Sequence, residues 1–397
     1  MRHRSPVIAA TAVVTSLVLA GALAPGAMAS KRSPTRAAHA AVKNPYPKSL
    51  HGSFAFYSGG DTNVESLWTN VLIPSFNRAY PHIKIDYVFD EHGVNDVTTL
   101  ARVAQAVQNH QPSGYALLES ATNAVELAAR NHLFIPVTKK AIPNIVNVPA
   151  STMQVVRYDA VPYRGSKVVL AYNSKAVPNP PKTLSQLLSW IQAHPGEFAY
   201  CNPSGGGSGS YFVQDVLDSY MPKSAVQTLA FNDATSLESD WAPGLAELHK
   251  LNSYVYGHGT YPAGNTQVLS LLGSGAVEMA TVWSDQGTQA LHDGQLPKSV
   301  KLTDISPPFA GSPVYLGIPR YTPKNQVRLV DAFLNFVLSV PQQAKVVKIL
   351  AGFPAISISK MTKTVKAEFS ALGEAESLPY AAQISSDLNR IWQQQVP

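Results

Sequence analysis

The residues best suited to holding a ligand form one short run, Asn202-Pro203-Ser204-Gly205-Gly206-Gly207-Ser208-Gly209-Ser210, between a strand at 198–201 and a helix at 211–220. Glycines let backbone N–H groups turn toward a bound group, and a helix start carries partial positive charge, so the run suits an oxyanion or a polar oxygen. A glycine-serine connector that holds nothing has the same composition. No lysine and threonine follow to complete a Walker loop, and no Gly-x-Gly-x-x-Gly occurs, which argues against nucleotide hydrolysis. Ser58-Gly59-Gly60 repeats the arrangement ahead of another helix, which Asp61 or Thr62 could cap. Two such turns could close on one ligand from opposite sides.

Other candidates are aromatic or acidic. Trp283, Ser284 and Asp285 follow a strand of small residues, and Tyr172 with Asn173 ends another. Aromatic rings offer flat faces to sugars and cations, although tryptophan more often serves a core. Glu119, at the end of a strand over 115–118, could pair with a cationic ligand or cap the next helix; Tyr163 and Tyr315 have similarly divided readings. Catalysis has no signature, since Gly-x-Ser-x-Gly is broken by Ser210 and Cys201 reads as an apolar strand-end residue. No His-x-x-x-His or His-Glu-x-x-His pair occurs, so neither a metal nor a cofactor is expected.

The elements that must position these residues come after an export-type start. Arg2 and Arg4 precede an apolar run over 7–23, and Ala27-Met28-Ala29 supplies a cleavage pattern, so residues 1–29 read as a signal peptide. The alternative is a membrane anchor, as the run is near the lower limit for spanning a bilayer. Ser30 stands where a lipid-bearing cysteine would be, so the product is expected to be free of lipid, periplasmic or secreted. Residues 30–48 hold Lys31, Arg32, Arg36, Lys43 and Lys48 with no acid and read as a disordered basic tail. The net charge of +6 therefore belongs to the two leading segments. The body has no basic excess, and nucleic acid is not an expected partner. Cys201 is the only cysteine, so burial alone must stabilise the fold. A body of roughly 350 residues exceeds what one core usually serves, and two lobes are expected. Charged residues make up only 14% of the chain, against about a quarter ordinarily; this fits an acidic medium, and loss of fold at about pH 3 would count against it.

A strand over 53–57, a helical pattern over 63–80 and a strand over 83–89 form a strand-helix-strand unit, and the alternation continues with helices at 95–109 and 123–131. Such an open α/β sheet binds ligands outside the carboxyl ends of its strands. An extended segment over 167–172 then leads through Pro178-Asn179-Pro180-Pro181 to a helix capped by Thr183. The stretch VPY…GSKVVLAYNSKAVPNPPKTLSQLLSW resembles the first interlobe crossing of periplasmic solute-binding proteins of the maltose, polyamine and thiamine kind. LLGSGAVEMATVWSD (271–285) resembles their return crossing, and PVYLGIPRYTPKNQVRLVDAFLNFVLSVPQQAK (313–345) the strand and proline-bounded helix in which a lobe closes.

The resemblance spans roughly 50–350. It implies an α/β, two-lobed periplasmic-binding-protein fold of type II with three interlobe crossings, near 165, 280 and 315. Lobe I would hold 49–165 and 283–315, and lobe II 166–282 and 316–397. The implied function is capture of a small polar or charged organic solute and delivery to the permease subunits of an ABC-type importer, by a monomer without enzyme activity. Oxyanions, sugars, polyamines and thiamine forms all fit. The expected site is Ser58, Gly59, Gly60, Glu119, Tyr172, Ser204, Gly205, Gly206, Ser208, Ser210, Trp283, Ser284, Asp285 and Tyr315. The competing reading is a secreted hydrolase or transferase on the same two-lobed scaffold.

Overall fold

A computed structural model describes residues 44–397 except 61, 92–94, 122–124, 126–127, 129–130, 206, 312, 370–371 and 374–376. The expected signal peptide and most of the basic tail, Gly206 and most of the helix expected over 123–131 lie outside the described residues. No described helix is long and apolar enough to cross a membrane.

The chain builds two sheets. Strand β1 (Gly52–Gly60) pairs in parallel with β2 (Ile83–Glu91) and with β3 (Leu117–Ala121), as the strand-helix-strand reading predicts. Between β1 and β2 the helical stretch expected over 63–80 is continuous: α1 (Thr62–Ser66), a π-helical stretch over Leu67–Leu72, then α2 (Ile73–Ala79). Helix α3 (Asp96–Gln108) precedes β3, and α4 (Ala150–Val155) leads to β4 (Val161–Gly165). The six-stranded sheet has the order β10-β4-β9-β3-β1-β2, with β9 (Val314–Gly317) antiparallel to both its neighbours and β10 (Phe353–Pro354) at one edge. It is therefore mixed, because a late strand returns between early ones.

The second sheet has the order β6-β7-β5-β8, from β5 (Val168–Asn173), β6 (Phe198–Ala199), β7 (Met279–Trp283) and β8 (Val300–Thr303). Its helices are α5 (Leu184–Ala193), α6 (Ser208–Asp218), α7 (Lys223–Phe231), α8 (Ala242–Leu251), α9 (Asn265–Ser274) and α10 (Ser284–His292). The Thr183 side chain accepts the Gln186 N–H at 3.2 Å, so α5 starts where its cap residue requires. Helices α11 (Lys324–Val337) and α12 (Val340–Leu350) return to the six-stranded side, α11 against β1 and α12 against β4. After α13 (Lys363–Phe369) comes α14 (Ala382–Gln395), which packs on α6 and α8.

Each sheet has an aromatic core. Phe56 meets Trp68 edge-on at 4.9 Å and Phe76 meets Phe333 at 5.0 Å, joining β1, the helical stretch after it and α11. In the second, Tyr200 packs 4.8 Å from Phe212, with buried Trp241 and Trp392 in the same cluster. Each fully buried side chain of this size contributes about 1.5–3 kcal/mol from the removal of apolar surface from water.

Strand membership moves the segment boundaries implied by the resemblance. The chain leaves the six-stranded sheet at 166–167, near the expected 165. Residues 283–303 stay with the second sheet, since α10 packs on β5, β7 and β8, and β8 pairs with β5. The return runs over 304–313 instead of near 280. Helices α11 and α12 and strand β10 pack on the six-stranded sheet, Phe369 of α13 meets Phe353 of β10 at 4.6 Å, and the chain reaches the second core again near Tyr380. The physical reason is that a short helix after β7 lays its small residues, Ser284, Gly287, Thr288 and Ala290, on the sheet it has just left.

Candidate functional site

A buried polar network in the six-stranded sheet is built on Glu119. This residue lies inside β3, where the side chain alternating with Leu118 points to the interior, and it is 3% exposed. Three donors converge on its carboxylate. Ser58 Oγ and Trp68 Nε1 (3.0 Å) share Oε2, and Tyr163 OH donates to Oε1 at 2.5 Å. Trp68 reaches it from the π-helical stretch. Burial pushes the Glu119 carboxyl up, against the charge of Arg164 and the three hydrogen bonds. Glu119 therefore orders this network from inside the protein.

From there a polar path crosses to the second sheet. Arg164 Nε donates to Tyr163 OH at 2.9 Å, and Arg164 Nη1 lies 3.8 Å from Asp285 Oδ2 at the start of α10. Asp285 Oδ1 accepts Ser166 Oγ at 2.6 Å and its neighbour's Gln286 N–H at 2.9 Å. Buried Ser284 bonds Ser166 Oγ (3.2 Å) and the Lys167 N–H (3.2 Å). Gln343, in the Pro-Gln-Gln segment that opens α12, is buried and donates to the Tyr163 carbonyl at 3.1 Å.

Beside this path a cavity of about 520 Å³ opens between the two sheets' helices. Asn63 of α1 and Leu350 of α12 line one wall. The other is made by Thr266, Ser270 and Gly273 of α9 and by Asp285, Gln286 and Gln289 of α10, with Asp293 just beyond. Its lining carries two carboxylates and several hydroxyls and amides, and no lysine or arginine. Helical spacing puts Thr266 and Ser270, and Gln286 and Gln289, on shared faces.

The structure brings few of the expected site residues to this cavity. Asp285 lines it, and Ser284 supports it from below. Trp283 is half-buried with its ring edge-on to Tyr211 at 5.1 Å, packed on the second core. Ser58 is fully buried on Glu119, and Gly59 and Gly60 are paired with β2 as the end of β1, so the expected turn is strand.

The glycine run is closed by the protein itself. Helix α6 begins at Ser208, three residues earlier than expected, after Gly207 in a left-handed conformation (φ +79°). Asn265 Oδ1 accepts both the Ser208 N–H and its hydroxyl at 3.0 Å each, and Cys201 Sγ accepts the Gly209 N–H at 3.2 Å. A Cβ at Gly209 would stand 1.8 Å from the Cys201 carbonyl oxygen, so that glycine is required for the helix to seat against the strand. The N–H groups of Ser208 and Gly209 at the start of α6 are thus occupied. Ser204 bonds Asn202, Gly205 closes a 3-10 turn, and Ser210 bonds the Pro203 carbonyl and Asn389 of α14.

Tyr172 and Tyr315 are placed away from the cavity. β5 starts at the connection between the sheets, so Tyr172 lies four residues and roughly 13 Å along it from Val168. Tyr315 is buried in the sheet and donates to the Thr152 carbonyl at 2.9 Å. Sequence reading missed Asn63, Arg164, Thr266, Ser270, Gln286 and Gln289. Extending the helical period past Asp285 would have found the two glutamines; Asn63 and the α9 residues carry no local signal. No group of acid, histidine and cysteine side chains among the described residues could hold a metal ion.

Comparisons with known proteins bear on the family and the fold. A family profile described as bacterial extracellular solute-binding protein matches residues 72–371. Among curated proteins, protein YnjB of Escherichia coli is 25% identical over 186 residues, 46% of this chain and 47% of that one, so the match spans about half of that relative. Among solved structures, an extracellular solute-binding protein of Bordetella parapertussis superposes with a TM-score of 0.69 at 15% identity, over 87% of this chain and 99% of the other. The spermidine/putrescine substrate-binding protein PotD of Streptococcus pneumoniae gives 0.63 at 12%, over 87% and 99%. The ferric iron-binding protein A of Mannheimia haemolytica gives 0.60 at 11%, over 87% and 97%. At these identities the likeness to solved structures is one of fold, the two-lobed α/β fold of periplasmic binding proteins. The family match leaves the hydrolase or transferase alternative without support.

Proposed function

We propose, for a chain that belongs to the family of bacterial extracellular solute-binding proteins, that the solute occupies the cavity between α1 and α12 of one lobe and α9 and α10 of the other. The observation that carries this is a lining drawn from both lobes that holds amides, hydroxyls and the Asp285 and Asp293 carboxylates, and no lysine or arginine. Such a lining favours a polar organic solute rich in donors, a hydroxyl compound or an organic amine, over an oxyanion. Contacts from both walls would stabilise the closed form, which a membrane partner reads.

The family works outside the cytoplasm. The apolar run over 7–23 and Ala27-Met28-Ala29 support export with removal of the leader after Ala29. The protein then acts as a monomer that delivers its solute to an ABC-type permease and turns nothing over; the fold shared with ABC substrate-binding proteins supports this reading.

A thermal-shift screen with spermidine, putrescine, thiamine, sugars, amino acids and sulfate tests it, because a bound solute raises the melting temperature. An amine or polyhydroxyl compound is expected to give the rise, and Asp285→Asn is expected to remove most of it. The same rise in the variant would move the site elsewhere, and a rise with sulfate alone would overturn the solute class.

A further inference from the structure

The described chain passes from one sheet to the other at 166–167 and again beyond Asp304, and one residue on the first of these passages also holds Asp304 and Leu372. Lys167 lies on the first, with its side chain 2% exposed. Its Nζ pairs with Asp304 Oδ2 at 2.5 Å, where the second passage leaves β8, and donates to the carbonyl of Leu372, in the first core. The ammonium also lies 5.6 Å from the ring centroid of Phe353 in β10. The Lys167 backbone is tied as closely. It bridges Gly311 on the second passage, and its carbonyl accepts the Ser284 N–H at 2.9 Å at the start of α10.

We infer that Lys167 is a positioning residue for solute capture, a buried pin about which the lobes turn. A buried ammonium is strongly disfavoured without its partners, so any lobe rotation that pulled Asp304 or the Leu372 carbonyl away would be opposed. Permitted rotations keep those atoms together. They therefore pass through Lys167 and leave the φ/ψ change to residues on either side, as in hinge closure generally. The same residue holds Ser284, so the rotation carries Asp285 and the α10 wall with it. This inference concerns the empty protein and holds whichever solute the cavity takes.

The test measures the distance between spin labels on Lys84→Cys, exposed in β2, and Lys250→Cys, exposed in α8, in the solute-free protein by pulsed electron resonance. With Lys167 present a single narrow distribution is expected. Lys167→Met, close in length and uncharged, is expected to widen it at least about twofold, and Lys167→Arg to restore the narrow form. An unchanged distribution in a cooperatively folding Lys167→Met protein overturns the inference. Should that variant fail to fold, Asp304→Asn is read in the same way: widening supports the pin, and an unchanged width overturns it.

Discussion

In the second lobe two strand-to-helix junctions lie side by side. β6 leads through a glycine-rich run into α6, and β7 leads directly into α10 with no glycine at all. The first start is filled by Asn265 and Cys201, whereas the second leaves Asp285 and Gln286 on the wall of the cavity. Glycine marks a place where backbone must be approached closely, and the approaching group is as readily another part of the chain as a ligand. At both starts backbone N–H groups are already taken, at α10 by the Lys167 carbonyl and by Asp285 itself, so what α10 offers a solute is side chains rather than backbone.

Substitutions can break this contrast. Gly209→Ala is expected to have the largest effect, because its Cβ would meet the Cys201 carbonyl and α6 would have to lift. A loss of about 3 kcal/mol or more in urea unfolding is expected; a loss below about 1 kcal/mol would show that the junction has slack. Asn265→Ala comes next, leaving the Ser208 N–H without its acceptor while the hydroxyl keeps the Thr281 carbonyl at 3.0 Å, at about 1–3 kcal/mol. At the open junction the pattern reverses. Asp285→Asn keeps an acceptor for Ser166 and the Gln286 N–H and loses only the charge beside Arg164, so it is expected to cost about 1 kcal/mol in unfolding while removing the response to solute.

The smallest effect concerns the far end of α6. Burial pushes the Asp218 carboxyl up to about 6, and burial does the same to Asp331 in α11. A carboxyl held above its unfolded value takes up its proton first in the folded state, so stability rises as pH falls from 7 through 6 toward 4. A rise of roughly 2–4 °C in melting temperature from pH 7 to pH 5 is expected, and Asp218→Asn should reduce it, leaving the share that Asp331 carries. A fall over that range in the unsubstituted protein would contradict both the burial argument and the acidic-medium reading of the sparse charge.

These contrasts explain how much could be read beforehand. The order of strands and helices was legible because it rests on local periodicity: α5 begins beside Thr183, and β1, β2 and α3 lie close to their expected spans. The mixed sheet was not, since nothing near Val314 announces that β9 inserts between β3 and β4. Site residues fared worse for a related reason. Ser58 and Ser208 carry the right chemistry, but their partners Glu119 and Asn265 stand 61 and 57 positions away and claim their hydroxyls. Asp285 was legible because it follows a strand end that the fold brings to the gap. Asn63 and Thr266 became site residues only through the meeting of two lobes.

The lone thiol gains a use from its position. Cys201 is 1% exposed, and the first turn of α6 lies across it, with the Gly209 N–H pointing at its sulfur. A thiol reagent can reach that sulfur only when the turn lifts. Its rate of modification in native buffer therefore gauges the free energy of a local opening in the second lobe, separately from global unfolding. The chain carries its own probe of how firmly that lobe is seated, with no label to add.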